Sequence, residues 1–405
     1  MTLAPTRLST DELRRQRRAR LIEVMRRDDI PALLTADPFS IRYATDTRNM
    51  MVHGLTGPDR LALVVHDGTV VLWEFAGCEH LVGDRDDIAE VRIAPGLSAK
   101  KTPAFRSEAA TLAGEVAELV RPVLGADLRI ACDGLGTPVT DALRRRGFDL
   151  LDGVDLMQRT MMIKQPAEIA AMRDAVAVTE TATDALRSAI EPGRTEQEVW
   201  AEFHRALIAG GGEFVVTRLL QSGVRTFPYF QEASDHRLAA GELVCFDTDA
   251  VARHGYSVDF SRTFLCGDEA TPRQRMLHAL ALEQLEHNAA RLTPGRSFEE
   301  FARRAFEVPE PHREHGYYQL AHGLGLAGGH PNIPRADGAT YALPGSFEPG
   351  MVICVESYIG DPATRQGVKL EDQYLITEDG VEAMSTYPLD ARLHDGPARV
   401  AAHSR

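Results

Sequence analysis

Residues 243–249 read Leu-Val-Cys-Phe-Asp-Thr-Asp, an apolar run that ends in two carboxylates, and few folds tolerate that. Side chains two apart on a strand share a face, so Asp247 and Asp249 are predicted to point the same way. The stretch Gly255-Tyr256-Ser257-Val258-Asp259-Phe260 is again strand-like and again acidic. A turn near residues 252–255 would bring Asp259 back beside the first pair. Three carboxylates facing one point repel, and burial penalises each charge, unless a cation sits among them. Two more acids stand on apolar runs: Glu356 closes Met351-Val352-Ile353-Cys354-Val355, and Glu371 lies in Val368-Lys369-Leu370-Glu371-Asp372. His322, before Gly323-Leu324-Gly325-Leu326, offers one nitrogen donor. Five carboxylates and an imidazole suit two divalent first-row ions of intermediate hardness, iron or manganese first, zinc or cobalt next. Two ions about 3.5–4 Å apart would supply a hydroxide and clamp a charged substrate.

The rest of the chain gives this constellation a setting. With 405 residues, 44% apolar and 26% charged, there is material for two domains with cores of their own. The net charge of −14 argues against a nucleic-acid partner, which needs a basic surface. No apolar run approaches a membrane span, and the first residues lack the apolar core of a secretion signal, so a cytoplasmic protein is expected. The five cysteines are scattered and never spaced C-x-x-C, which excludes a disulfide scaffold and a thiolate zinc site. Helices are predicted over 11–28, 107–124 and 138–146, with strands at 31–35, 60–66, 69–75 and 128–132; Asp67-Gly68 reads as a hairpin turn. That alternation predicts a small α/β domain over 1–158. Over 159–405 long helices from 166, 196–209, 272–292 and 297–307 accompany strands at 243–248, 256–265, 351–358 and 368–377, an α+β pattern. The polar tail after Asp390 is expected to fray.

The order Asp–Asp–His–Glu–Glu resembles the creatinase, prolidase and methionine aminopeptidase superfamily. The resemblance rests on Ser-Arg-Thr-Phe after Asp259, His-Gly-Leu-Gly at 322–325, and Pro-Gly-Met-Val-x-x-Val-Glu ending at Glu356. Lys-Gln-Pro-Ala-Glu-Ile-Ala-Ala-Met-Arg at 164–173 fits it too, as does the two-domain layout. It implies a pita-bread catalytic domain behind a creatinase-like N-terminal domain, a homodimer, and Asp247, Asp259, His322, Glu356 and Glu371 as metal ligands. Peptidases of this group carry one acid eleven residues before the second ligand; here that position is Thr248, flanked by Asp247 and Asp249. The Asp-Thr-Asp variant resembles the peptidase-like dimethylsulfoniopropionate lyases, in which both flanking acids bind the metal pair. Ile41–Met50, Arg218–Thr226, Tyr229–Glu232 and Lys369–Gln373 also look closest to that branch.

Departures narrow the activity. Proline-specific relatives have a Pro-His pair upstream of the first acid; this chain has Pro228-Tyr229. They place another histidine seven residues after the ligand histidine, and here that position is Gly329, with His330 one later. In the lyases an acid six residues after the ligand histidine takes the α-proton, and here that position is Gly328. Their sulfonium is held by aromatics including tryptophans, yet only Trp73 and Trp200 exist, and Val52-His53 follow Asn49-Met50-Met51 where a tryptophan is expected. His330 and Tyr229 remain for proton transfer, and Arg225, Tyr229 and His53 for substrate contact. The expected function is a dinuclear metal-dependent enzyme that cleaves a C–S or C–N bond in a small carboxylate metabolite. The alternatives are an Xaa-Pro dipeptidase and a non-catalytic binding module on the same fold.

Overall fold

Asp67-Gly68 turns the chain between two fully buried strands, with Gly68 at φ 107°, a conformation that costs a Cβ-bearing residue dearly. This hairpin lies in the first of two compact units, Met1–Met161 and Met162–Arg405, of a computed structural model that describes residues 9–55, 59–335 and 343–394. The tail beyond 394 lies outside the described residues.

The first unit holds α1 (Thr10–Arg27), β1 (Ala32–Thr35), α2 (Pro38–Thr45), α3 (Met51–Leu55), β2 (Leu61–Val65), β3 (Val70–Glu74), β4 (Glu90–Ile93), α4 (Phe105–Leu124), β5 (Arg129–Asp133), α5 (Thr137–Arg145) and β6 (Asp149–Asp152). α6 (Gly153–Met162) follows. The six strands form one mixed sheet in the order β4-β3-β2-β1-β5-β6. Its core joins Leu34, Leu61, Leu63 and Trp73 to the apolar face of α4, Leu112, Val116 and Val120. Fully burying one such side chain contributes about 1.5–3 kcal/mol.

The second unit opens with α7 (Pro166–Ser188), started by Pro166 and a capping box in which the Gln165 N–H donates to Glu168 Oε2 at 3.0 Å. α8 (Glu196–Ala209) stops at the glycines 210–212. Next come β7 (Phe214–Val215), β8 (Leu220–Ser222), β9 (Leu243–Asp247), β10 (Ala250–Val251), β11 (Ser257–Val258), β12 (Ser261–Leu265), α9 (Pro272–Ala289) and α10 (Phe298–Arg303). The last strands are β13 (Gln319–Leu324), β14 (Gly328–Pro334), β15 (Val352–Asp361), β16 (Gln366–Ile376) and β17 (Val381–Ala383). They make three sheets: β14-β13-β15-β16-β17, β12-β9-β8 and β11-β10-β7. α9 and α10 cover the five-stranded sheet through Leu277, Leu285, Phe298 and Phe301, packed with Ile353, Val355, Val368 and Leu370.

The continuous strand expected over 256–265 is two strands in two sheets. β11 pairs with β10 and β12 with β9, leaving Asp259 in the gap. On the facing arm, β9 ends at Asp247, and Asp249 takes φ 36°, which breaks the strand before β10. Thr248 staples the crossing: its hydroxyl donates to the Val258 carbonyl (3.1 Å) and accepts from the Phe260 N–H (3.0 Å).

Candidate metal centre

Strand alternation gathers the donors. Glu356 on β15 stands opposite Glu371 on β16, Cys354 opposite Gln373, and His322 on β13 opposite Cys354. Their sequence neighbours Ala321, Ile353, Val355 and Leu370 point to the other face, into the helix-covered core. Two acids arrive from the hairpin that changes sheets: Asp247 at the end of β9, where Ser261 is its cross-strand partner, and Asp259 in the gap. All but His322, which is partly exposed, are buried.

His322 Nε2 lies 3.5 Å from Asp259 Oδ2, 3.5 Å from Glu371 Oε1 and 3.6 Å from Glu356 Oε1. Donor atoms of Asp259, His322, Cys354 and Glu371 all fall within 4.8 Å of one another. Such separations suit ligands that share an ion through bonds of about 2.1 Å. Asp247 Oδ1 and Asp259 Oδ1 are buried without a hydrogen-bond partner, which is costly for carboxylates that have no cation. On chemistry and on geometry the cluster fits a metal. The sixth predicted ligand, Asp249, lies close enough to feel the charge of Asp247, and its Oδ2 accepts from the Thr217 hydroxyl.

Without an ion the site holds protons. Burial, then the charge of Asp247, pushes Asp249 up to about 7. Burial and the charges of Glu371, Asp249 and Asp247 raise Asp259 well above the carboxylate range, and burial beside Glu356 raises Glu371. Asp247 goes the other way: burial would raise it, but the Lys369 charge and the Tyr229 and Ser261 hydrogen bonds hold it low. Burial would neutralise His322, yet the glutamates and Asp259 keep its imidazole charged. Metal entry must therefore expel protons.

The sequence reading missed Lys369, which enters this cluster fully buried from β16. Its Nζ lies 2.7 Å from Glu356 Oε2, 2.8 Å from Glu371 Oε2, 3.3 Å from Asp247 Oδ2 and 2.6 Å from Ser261 Oγ. The signal was present in its spacing of two from Glu371. Also missed was an aromatic wall. Tyr229 meets Tyr317 and Tyr358 at centroid distances of 5.6 and 5.1 Å, and Phe230 and Tyr318, both 56% exposed, extend the wall outward from Tyr317. Lys369 Nζ faces the Tyr229 and Tyr317 rings at 5.6 and 5.1 Å.

Of the other predicted residues, Tyr229 joins the cluster, its hydroxyl donating to Asp247 Oδ2 at 2.8 Å. Burial, then the Asp247 charge, raises this phenol far above its usual range, so it serves as a donor and not as a base. Arg225 is bound to Glu196 at 3.1 Å and to the Glu232 carbonyl at 3.0 Å, which places it on a structural acid. Arg262 is buried against Asp372 at 2.8 Å. The His330 ring packs edge-on against Phe298, at 5.8 Å, on the side of the helix-covered core. His53 belongs to the first unit, paired with Asp59 at 3.1 Å and stacked on Phe75 at 4.0 Å. Neither tryptophan is placed at the cluster: Trp73 is buried in the first unit's core, and Trp200 stacks on His204 of α8.

This fold, with a carboxylate and histidine cluster on one sheet face, defines a metallopeptidase-type enzyme. Residues 170–378 match the metallopeptidase family M24, and the chain belongs to that family. It is 36% identical over 401 residues to the dimethylsulfoniopropionate lyase DddP of Roseovarius nubinhibens, covering 95% of this chain and 89% of that one. The protein of the same name from Roseobacter denitrificans is 34% identical over 393 residues, covering 94% and 87%. Among solved structures, the prolidase of Pyrococcus horikoshii OT3 superimposes with a TM-score of 0.73 over 91% of this chain and 98% of its own, at 21% identity. That likeness gives the pita-bread catalytic domain and the smaller N-terminal domain before it. Among the described residues no helix is long and apolar enough to cross a membrane.

Proposed function

We propose that this chain is a metal-dependent lyase acting on a small metabolite that carries a carboxylate and an onium group, cleaving a C–S or C–N bond. One observation carries the reading: the acidic cluster directly abuts the Tyr229–Tyr317 wall, whose rings already face a cation. Aromatic faces attract onium groups through their quadrupoles, and partners of opposite character side by side suit a zwitterion. The relatives' named substrate, dimethylsulfoniopropionate, is such a molecule.

Asp247, Asp249, Asp259, His322, Glu356 and Glu371 would hold two divalent ions per subunit, iron or manganese. Bound there, the ions supply positive charge that holds a substrate carboxylate and acidifies the adjacent carbon. Tyr229 keeps Asp247 oriented, and the wall seats the onium group. In elimination the α-proton passes to a base, the C–S or C–N electron pair leaves with the neutral sulfide or amine, and a double bond forms. Gly328 offers no side chain for the proton, so slow turnover of dimethylsulfoniopropionate is expected. Peptide hydrolysis is the second reading, supported by the family's name, but Pro228-Tyr229 lacks the histidine that positions a scissile amide.

The test offers manganese- or iron-loaded protein dimethylsulfoniopropionate, its trimethylammonium analogue and Xaa-Pro dipeptides. Cleavage of an onium propionate, lost on chelation, is the expected result. Dipeptide hydrolysis with no onium cleavage overturns the reading. We also propose a homodimer, as the same resemblance implies, so light scattering is expected to give twice 44.5 kDa, and a monomer mass at micromolar concentration contradicts it.

A further inference from the structure

We infer that Lys369 holds one of the two cation positions of this cluster, so that metal ions load in order and with unequal affinity. The inference rests on the metal-binding reading above. The two glutamates divide their oxygens between two cations. Each turns Oε1 toward His322 Nε2, at 3.6 Å for Glu356 and 3.5 Å for Glu371, and Asp259 Oδ2 joins them at 3.5 Å. Each turns Oε2 toward Lys369 Nζ, at 2.7 and 2.8 Å, with Asp247 Oδ2 at 3.3 Å. Ser261 Oγ completes the lysine side, 2.6 Å from Nζ and 2.9 Å from Glu371 Oε2.

The lysine is built into this place. Its side chain is wholly buried, and its backbone N–H and carbonyl are both tied to Thr263 Oγ1, at 3.0 and 2.9 Å. A first ion at the His322 end meets donors that Lys369 leaves alone, including Asp259 Oδ1, which has no hydrogen-bond partner. A second ion needs the Oε2 atoms and Asp247, all in charge-assisted contact with the ammonium. It must displace that ammonium from a buried site, where cations a few ångströms apart repel strongly. The first ion meets only the His322 imidazolium, which can give up its proton and become a ligand, whereas Lys369, not among the predicted ligands, offers no such exchange. Lys369 is thus a positioning residue that sets the second affinity.

The test is a calorimetric titration of chelator-treated, full-length protein with Mn²⁺, together with a metal count after gel filtration. Wild type is expected to retain one ion per chain and to bind a second at least tenfold more weakly. Lys369→Met is expected to tighten the second step at least tenfold and to retain two. Two ions of equal affinity in wild type, or an unchanged second step in Lys369→Met, overturns the inference. If Lys369→Met does not fold, Lys369→Gln, with a polar tip for Ser261, takes its place; the wild-type titration stands regardless. No binding at all would overturn the metal site itself, an outcome distinct from these.

Discussion

Gly328, exposed on β14, has open space where a Cβ would project, with nothing within 4 Å and no left-handed backbone to forbid a side chain. An acid therefore fits there without repacking. Resemblance to the lyases puts the proton-abstracting acid at this position, and a placed base typically contributes about 10²–10⁴ in rate. Gly328→Asp is accordingly expected to raise dimethyl sulfide release by about two to four orders of magnitude, read by headspace gas chromatography, with the melting temperature unchanged. A native rate already on the order of 1–10³ s⁻¹ would show that another group takes the proton. Tyr229 is ill suited to that task, because its hydroxyl is buried and donates to Asp247 Oδ2. Removing that donor would leave Lys369, at 3.3 Å, and Ser261 to steady the carboxylate.

At the level of elements, what could be read from the sequence was whatever a local rule governs. The helix Glu196–Ala209 begins at the Thr195 cap and ends at three glycines, and both signals are written in the chain. The Asp67-Gly68 hairpin is equally local. Glu356 and Glu371 were legible because a carboxylate inside an apolar run demands a partner, and their strands do pair with these two residues opposite. The break at Asp259 was not legible. Period-2 alternation runs from Tyr256 to Ser261, straight across Asp259, as if the strand were whole, while the change of sheet depends on Asp249 at φ 36° and on Thr248, both on the other arm. β14 was hidden by its composition, since Gly328, Gly329, Pro331 and Pro334 are residues that usually argue against a strand. Lys369 was in view inside Lys-Leu-Glu-Asp, on the face of Glu371, but an isolated lysine ordinarily reads as solvated. Tyr317 lies five residues before His322 and outside any strand, so no periodicity ties it to Tyr229; only tertiary packing makes the wall.

For the whole molecule, the two units have separate cores, and the acidic cluster belongs wholly to the second. Metal removal should therefore weaken one unit selectively. In the metal-free state Asp249 is pushed to about 7, and Asp259 and Glu371 are raised as well, whereas an unfolded carboxylate titrates near 4. A group whose folded value is raised favours the folded state below its unfolded value and loses that contribution as pH rises through the folded one. For Asp249 that window is pH 4 to 7, and the contribution at stake is on the order of 4 kcal/mol. The metal-free second unit should thus become less stable between pH 4 and 7, with a melting midpoint that falls by about 2–4 °C per kcal/mol lost. Bound cations remove the repulsion, so the loaded protein should show little of this slope. Scanning calorimetry of chelated and Mn²⁺-loaded protein across that range is the check. The expected record is two transitions in the chelated sample, one fixed and one falling with pH, and a rise of the second alone when metal is restored. If chelation lowered both transitions together, or if the chelated protein grew more stable from pH 4 to 7, the carboxylates of the cluster would not be carrying their protons in the metal-free fold.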